Sequence, residues 1–190
     1  MSERKRILIL CEDKISCPVY LNKLRHEYRP KTRFEIEKGK GGNILGLFKK
    51  AEQIYFEYKD TAFEYDEIYC LYDKDRLKGK EERIQYKEVC LIKKKYGFKE
   101  IFFDPYFEIW LALHFEKINK ISKTELVKKV KKHLYNNDKK IHQEDFKKDK
   151  RIFEKTNKQI LAAVQNCEEL SKSKICPTNF HELIKRIMEE

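Results

Sequence analysis

Near its start the chain carries five consecutive apolar residues, Ile7-Leu8-Ile9-Leu10-Cys11, with charge on either side at Arg6 and Glu12. A strand with one wet face alternates polar and apolar residues. An unbroken apolar run of this length therefore fits a strand buried on both faces, which calls for a parallel sheet covered by helices on both sides. The segments that follow keep a matching rhythm. Ser16 and Pro18 open a helix with Tyr20, Leu21, Leu24 and Tyr28 on one side, and Phe34 to Glu37 alternates as an edge strand does. Asn43 caps a helix whose Ile44, Leu47, Phe48, Ala51, Ile54, Tyr55 and Tyr58 keep helical spacing. Glu67 to Tyr72 reads as a second central strand, residues 81–96 as an amphipathic helix stopped by Gly97, and Lys99 to Phe103 as a further strand. Asp104-Pro105 reads as the cap and first position of another helix. This alternation predicts an α/β fold, a mostly parallel sheet with helices on both faces.

From Lys117 onward the pattern holds helices and no strand. Leu126, Val127, Val130 and Leu134 fall on one side of a helix, and Lys128, Lys129, Lys131 and Lys132 project from the other. A polar stretch, Asn136 to Asp149, leads to a longer helix. Asn179, with Glu182 three residues on, reads as the cap of the last one, whose apolar face is Phe180, Leu183, Ile184, Ile187 and Met188. The expected organisation is an α/β core over 1–115 and a basic helical extension over 116–190 packed on it. A globule of 190 residues buries roughly 70% of its unfolded surface, so it needs no disulfide or metal merely to fold.

The formal charge is +11, from 43 Lys+Arg against 32 Asp+Glu, and the part after residue 115 is the more basic per residue. A nucleic acid held by Lys128, Lys129, Lys131 and Lys132 fits that balance, and so does an ordinary solvated lysine surface. No apolar run reaches the roughly 20 residues of a membrane span, and the opening residues do not form a secretory signal. The six cysteines are scattered, without a C-x-x-C pair or a His at zinc-finger spacing, which reads as reduced thiols in the cytoplasm.

In open parallel sheets ligands bind beyond the carboxyl ends of the strands. Two acidic groups fall there: Glu12-Asp13 after the first strand, and Asp73 with Asp75 after the third. If those strands are neighbours and the turn after the third is extended, Glu12, Asp73 and Asp75 converge, and Mg²⁺ or Mn²⁺ would relieve their repulsion. The same residues also suit plain turns and helix lead-ins, where Asp is common. Glu108 lies beside an apolar helical stripe of Phe107, Trp110, Leu111 and His114, so it must be paired, protonated or functional; a structural ion pair with a lysine is the other reading. His114 reads as a core histidine in preference to a catalyst. Gly39-Lys40-Gly41-Gly42-Asn43 ahead of a helix suits a phosphate cradle or a plain loop, and it lacks the Walker spacing. No G-x-G-x-x-G follows the first strand, which argues against a dinucleotide enzyme.

Residues Ile7 to Glu12, with Tyr69-Cys70-Leu71-Tyr72-Asp73-Lys74-Asp75, resemble the Toprim domain, in which a Glu after the first strand and an Asp-x-Asp after the third bind Mg²⁺ and promote phosphodiester chemistry. The block Asp104-Pro-Tyr-Phe-Glu108-Ile-Trp110-Leu-Ala-Leu-His114 is similar to the Pro-x-Phe-Glu-x-Trp-x-x-x-His block of the RloB-like proteins. Those are prokaryotic defence proteins with a Toprim-like core, commonly encoded with an ABC-type ATPase, and Pro177-Thr178 resembles their terminal Pro-Ser-Thr element. The resemblance implies a metal-dependent nuclease acting on RNA or DNA. In it Glu12, Asp73, Asp75 and Glu108 would be catalytic, Glu12, Asp73 and Asp75 would hold Mg²⁺ or Mn²⁺, and Glu12 would double as general acid or base. It also implies an ABC-type ATPase as partner, and a homo-oligomer is compatible with it. The rival is a non-catalytic subunit that binds nucleic acid or nucleotide. Two departures stand out. The family opening Glu-Gly-x-x-Thr-Glu is here Glu12-Asp13-Lys14-Ile15-Ser16-Cys17, so its second Glu is replaced by Cys17, and Cys176 stands near where Asn is expected.

Overall fold

A computed structural model describes residues 5–28, 33–38, 43–77, 79–138 and 140–188. Strands and helices alternate through the first part: β1 (Arg6–Cys11), α1 (Ser16–Tyr28), β2 (Arg33–Lys38), α2 (Ile44–Tyr58), β3 (Glu67–Asp73), α3 (Lys80–Tyr96) and β4 (Lys99–Phe103). The strands form one parallel sheet in the order β2-β1-β3-β4. In β1, Ile7, Ile9 and Cys11 face one layer with α1, while Leu8 and Leu10 face the other with α2 and α3. Both faces are covered, so neither set of alternating positions tolerates charge. β2 is an edge strand whose Phe34 is buried while Arg33 and Glu37 are exposed, and its sequence alternates accordingly. This is the architecture expected of a Toprim-like core.

Local signals set several boundaries. Asn43 accepts a 2.7 Å hydrogen bond from the Gly46 N–H and caps α2. Gly97 ends α3 at φ +72°, where its N–H reaches the Lys93 carbonyl and a side chain would be strained. The proposed phosphate cradle, Gly39 to Gly42, lies outside the described residues.

Six further helices follow among the described residues: α4 (Glu108–Leu113), α5 (Lys123–Tyr135), α6 (Gln143–Lys148), α7 (Ile152–Thr156), α8 (Ile160–Lys172) and α9 (Phe180–Met188). They share the core layer of α1. Tyr20 of α1 meets Phe107, Trp110, His114 and Phe153 edge-on, contacts worth about 0.5–1.5 kcal/mol each beyond their burial. The described residues between 116 and 188 thus complete the same core as the α/β part. No helix among the described residues is long and apolar enough to cross a membrane.

Two local expectations are overturned by tertiary contacts, and a third holds only for the backbone. Asp104-Pro105 does not start a helix: the bond is cis, the Asp104 N–H donates to the Pro177 carbonyl, and α4 begins only at Glu108. The polar stretch before residue 150 contains α6, and the longer helix is broken into α7, a 3₁₀ turn at Asn157–Gln159 and α8. Thr156 sits at the break with its hydroxyl donating to the Ile152 and Phe153 carbonyls, a back-bonding that bends helices. Asn179 accepts the Glu182 N–H on its carbonyl as a cap residue does, but its side chain serves β4 instead. Its Oδ1 accepts from the Phe102 N–H at 3.0 Å and its Nδ2 donates to the Glu100 carbonyl at 2.9 Å. Thr178 bridges Phe103 and donates through its hydroxyl to the Phe102 carbonyl at 2.6 Å. The free rim of β4 is closed by the segment Pro177-Thr178-Asn179.

Candidate functional site

The adjacency of β1 and β3 brings the two acidic groups together. Their ladder runs one residue past the strand, with the Glu12 N–H donating to the Leu71 carbonyl at 2.8 Å. The Asp73 N–H then donates to Glu12 Oε2 at 3.3 Å. On the other side, Asp73 Oδ1 accepts the Phe107 N–H at 3.1 Å, at the entrance to α4, whose first residue is Glu108. Three chain segments thus deliver Glu12, Asp73 and Glu108 to the carboxyl end of the sheet.

The electrostatics follow from that crowding. Burial and then the charges of Glu108, Glu12, Asp75 and Asp13 hold the Asp73 carboxyl well above the usual carboxylate range. Glu108 is buried among apolar neighbours, and the Gln143 amide of α6 donates to its Oε1 at 3.4 Å. Asp75 departs from expectation. It lies in a 3₁₀ turn, Lys74–Leu77, rather than an extended one, so successive side chains rotate by about a third of a turn. Lys123 draws its carboxylate at 2.9 Å while lying over the Tyr106 ring. Between the two aspartates, Lys74 sits over Phe102, 3.5 Å from the ring centre. Asp73 therefore feels Glu108 more than Asp75.

Neighbouring residues take plainer parts. Asp13 accepts the Ile15 and Cys17 N–H groups and leads into α1. Burial pushes the Cys17 thiol up, so the position of the family's second Glu holds a neutral group. His114 donates through Nδ1 to the Trp110 carbonyl and faces the Tyr20 hydroxyl at 3.1 Å through Nε2. Burial pushes it down to about 4, so it is a neutral core residue at physiological pH. On α5, Leu126 and Val130 are buried while Lys128 and Lys132 are exposed and Lys131 is half-buried. Lys129 instead pairs with Glu116 at 2.5 Å. A cleft of about 510 Å³ lies at the opposite, amino end of the strands, lined by Arg6, Tyr65, Asp66, Glu67 and Lys99, away from the acidic cluster.

The donors gathered at Asp73 are carboxylate oxygens, the chemistry that Mg²⁺ or Mn²⁺ takes, and concentrated like charge is what such a cation relieves. The donor types are those such an ion takes. Lys123 and Gln143 escaped sequence reasoning because no local pattern ties them to acids 48 and 35 residues away. A second cluster also escaped it: ligand atoms of Cys167, Cys176 and His181 all lie within 4.8 Å of one another. The positions of these three residues along the chain match no familiar metal motif.

A family model described as RloB-like protein matches residues 7–187. Comparison with curated proteins and with solved structures found no match.

Proposed function

The chain belongs to the RloB-like family, and from that membership we propose that it is a metal-dependent nuclease of prokaryotic defence, cleaving phosphodiester bonds of RNA or DNA. The observation that carries the proposal is the meeting of Glu12, Asp73 and Glu108 at the carboxyl end of the sheet, with the Asp73 carboxyl held up by burial and by its acidic neighbours. Glu12 and Asp73 would hold Mg²⁺ or Mn²⁺, with Asp75 and Glu108 completing the acidic surround. When bound, the cation supplies charge neutralisation at the scissile phosphate and the leaving oxygen. Glu12 would also accept or return a proton at its carboxylate. Lys123, already tied to Asp75, adds a positive charge beside the acids to attract a phosphate. An ABC-type ATPase would control the activity, as the resemblance implies.

Single-turnover cleavage of labelled RNA and DNA with Mg²⁺ or Mn²⁺ tests the reading. Wild-type chain, supplied with an ABC-type ATPase, should cut, and Glu12→Gln should bind the same substrate without cutting. Full activity in Glu12→Gln removes Glu12 from the mechanism. Binding without cleavage by the wild type favours the non-catalytic subunit, a reading supported by Cys17 standing where the family has its second Glu.

Lys128, Lys131 and Lys132 would track the nucleic-acid backbone without reading sequence. Converting all three to Gln should reduce the log–log salt slope of binding by up to about 0.9 for each phosphate that is no longer neutralised. Lys129→Gln should change it less, because Glu116 already holds that ammonium. Anisotropy titrations across a salt series measure both, and an unchanged slope in the triple variant assigns the face to solvent or to a protein partner.

A further inference from the structure

The last two helices meet through a tight turn. Lys174 takes φ +56°, and the Ile175 N–H returns to the Leu170 carbonyl at the end of α8. This reversal lays Cys176 back against Cys167 and leads into α9, which carries His181. Cys167 is fully buried, His181 is 7% exposed and Cys176 is half-buried. The three ligand atoms lie within 4.8 Å of one another. The His181 Nδ1 is buried and has no hydrogen-bond partner among the described residues. A buried ring nitrogen without a partner costs free energy, and a metal bond would remove that cost.

We propose that Cys167, Cys176 and His181 form a structural Zn²⁺ site, separate from the carboxylates at the sheet edge. Two sulfurs and one imidazole are soft and borderline donors, a set that selects zinc over magnesium. Tetrahedral zinc, with bonds of about 2.3 Å to sulfur and 2.0 Å to nitrogen, puts neighbouring donors roughly 3.5–3.8 Å apart. Closing from 4.8 Å therefore takes side-chain adjustments of about 1 Å, with no rearrangement of the helices. Zinc would displace the thiol protons of Cys167 and Cys176 to solvent on binding. The fourth position is left for water or another donor.

The site has a structural purpose visible in the fold. Cys176 directly precedes Pro177-Thr178-Asn179, the segment that closes the rim of β4. Fastening Cys176 to α8 and α9 would fix that segment at its start.

Co²⁺ substitution tests the proposal without any substrate. With excess Mg²⁺ present to occupy the carboxylates, the reduced full-length chain should take up one equivalent of Co²⁺. It should then show thiolate-to-cobalt charge-transfer absorption and the visible bands of a tetrahedral site, which carboxylate ligands cannot produce. Zn²⁺ should displace the cobalt and raise the melting temperature by roughly 5–10 °C at a hundredfold excess over its dissociation constant. Cys176→Ser and His181→Gln should lose the charge-transfer band or the tight binding, while Cys90→Ser, an exposed thiol elsewhere, should keep both. The wild-type spectrum alone decides if a variant fails to fold. Absence of the charge-transfer band in wild type overturns the site, as does a Cys167–Cys176 disulfide in the chain isolated under reducing conditions.

Discussion

Asp73→Asn should cut metal-dependent cleavage by about 10²–10³-fold or more, the scale of one preorganised electrostatic group, while raising the melting temperature of the metal-free protein. The two effects share a cause. Asparagine keeps the Oδ1 that accepts the Phe107 N–H, so the entrance to α4 is preserved, but it removes the charge crowded by Glu108, Glu12, Asp75 and Asp13. Each pKa unit of relief corresponds to about 1.4 kcal/mol, or roughly 3–5 °C in a chain of this size. The sign with pH follows from the raised value. The folded state holds the Asp73 proton more tightly than the unfolded state, so the favourable contribution is complete below the unfolded value near pH 4. It is lost as pH rises through that value and then through the higher folded one. Wild-type melting temperatures measured without metal should therefore fall across that window more steeply than those of Asp73→Asn. Mg²⁺ at a hundredfold excess over its dissociation constant should restore about 2.7 kcal/mol to wild type and little to the variant. A lower metal-free melting temperature in Asp73→Asn, with the Mg²⁺ response intact, would make Asp73 a structural acceptor for α4.

Asn179→Ala should destabilise the fold by about 1–3 kcal/mol, the cost of stranding backbone groups that had a partner. The amide satisfies both the Phe102 N–H and the Glu100 carbonyl on the outer side of β4, so alanine leaves one donor and one acceptor on a rim with no further strand. Thr178→Val, which matches the side-chain shape, should cost a similar amount by losing the hydroxyl that serves the Phe102 carbonyl and the Phe180 N–H. Urea unfolding measures both, with the slope unchanged if only the native state is affected. Losses below about 0.5 kcal/mol, the range of ordinary surface substitutions, would mean that water replaces the amide and that the rim is closed by geometry alone.

The α/β alternation was legible because burial on both faces demands it: the run Ile7 to Cys11 has no polar position to spare. Gly97 and Asn43 were legible because their roles are local. Glu12 and Asp73 were nominated by position, but their meeting depended on β1 lying beside β3, a matter of strand order that no short segment encodes. Asp104-Pro105 as a helix start, and the side chain of Asn179 as a cap, were misread for a related reason. Each satisfies a helix-start rule within its own neighbourhood, and each is claimed by a partner far along the chain, Pro177 for one and β4 for the other. Lys123, Gln143 and the Cys167, Cys176 and His181 group became visible only when the helices were packed, since their spacing carries no repeat.

The closure of β4 by Thr178 and Asn179 also sets an order of events during synthesis. The donors and acceptors of β4 are made well before their partners, which follow 76 to 79 residues later. A nascent chain can assemble β1, β3 and β4 while still holding a bare, adhesive strand at the margin, a surface prone to pairing with other chains. Such distant contacts also form slowly, because the intervening chain must first be brought round. The segment Pro177-Thr178-Asn179 therefore acts as a latch whose arrival ends the period in which the β4 margin is open.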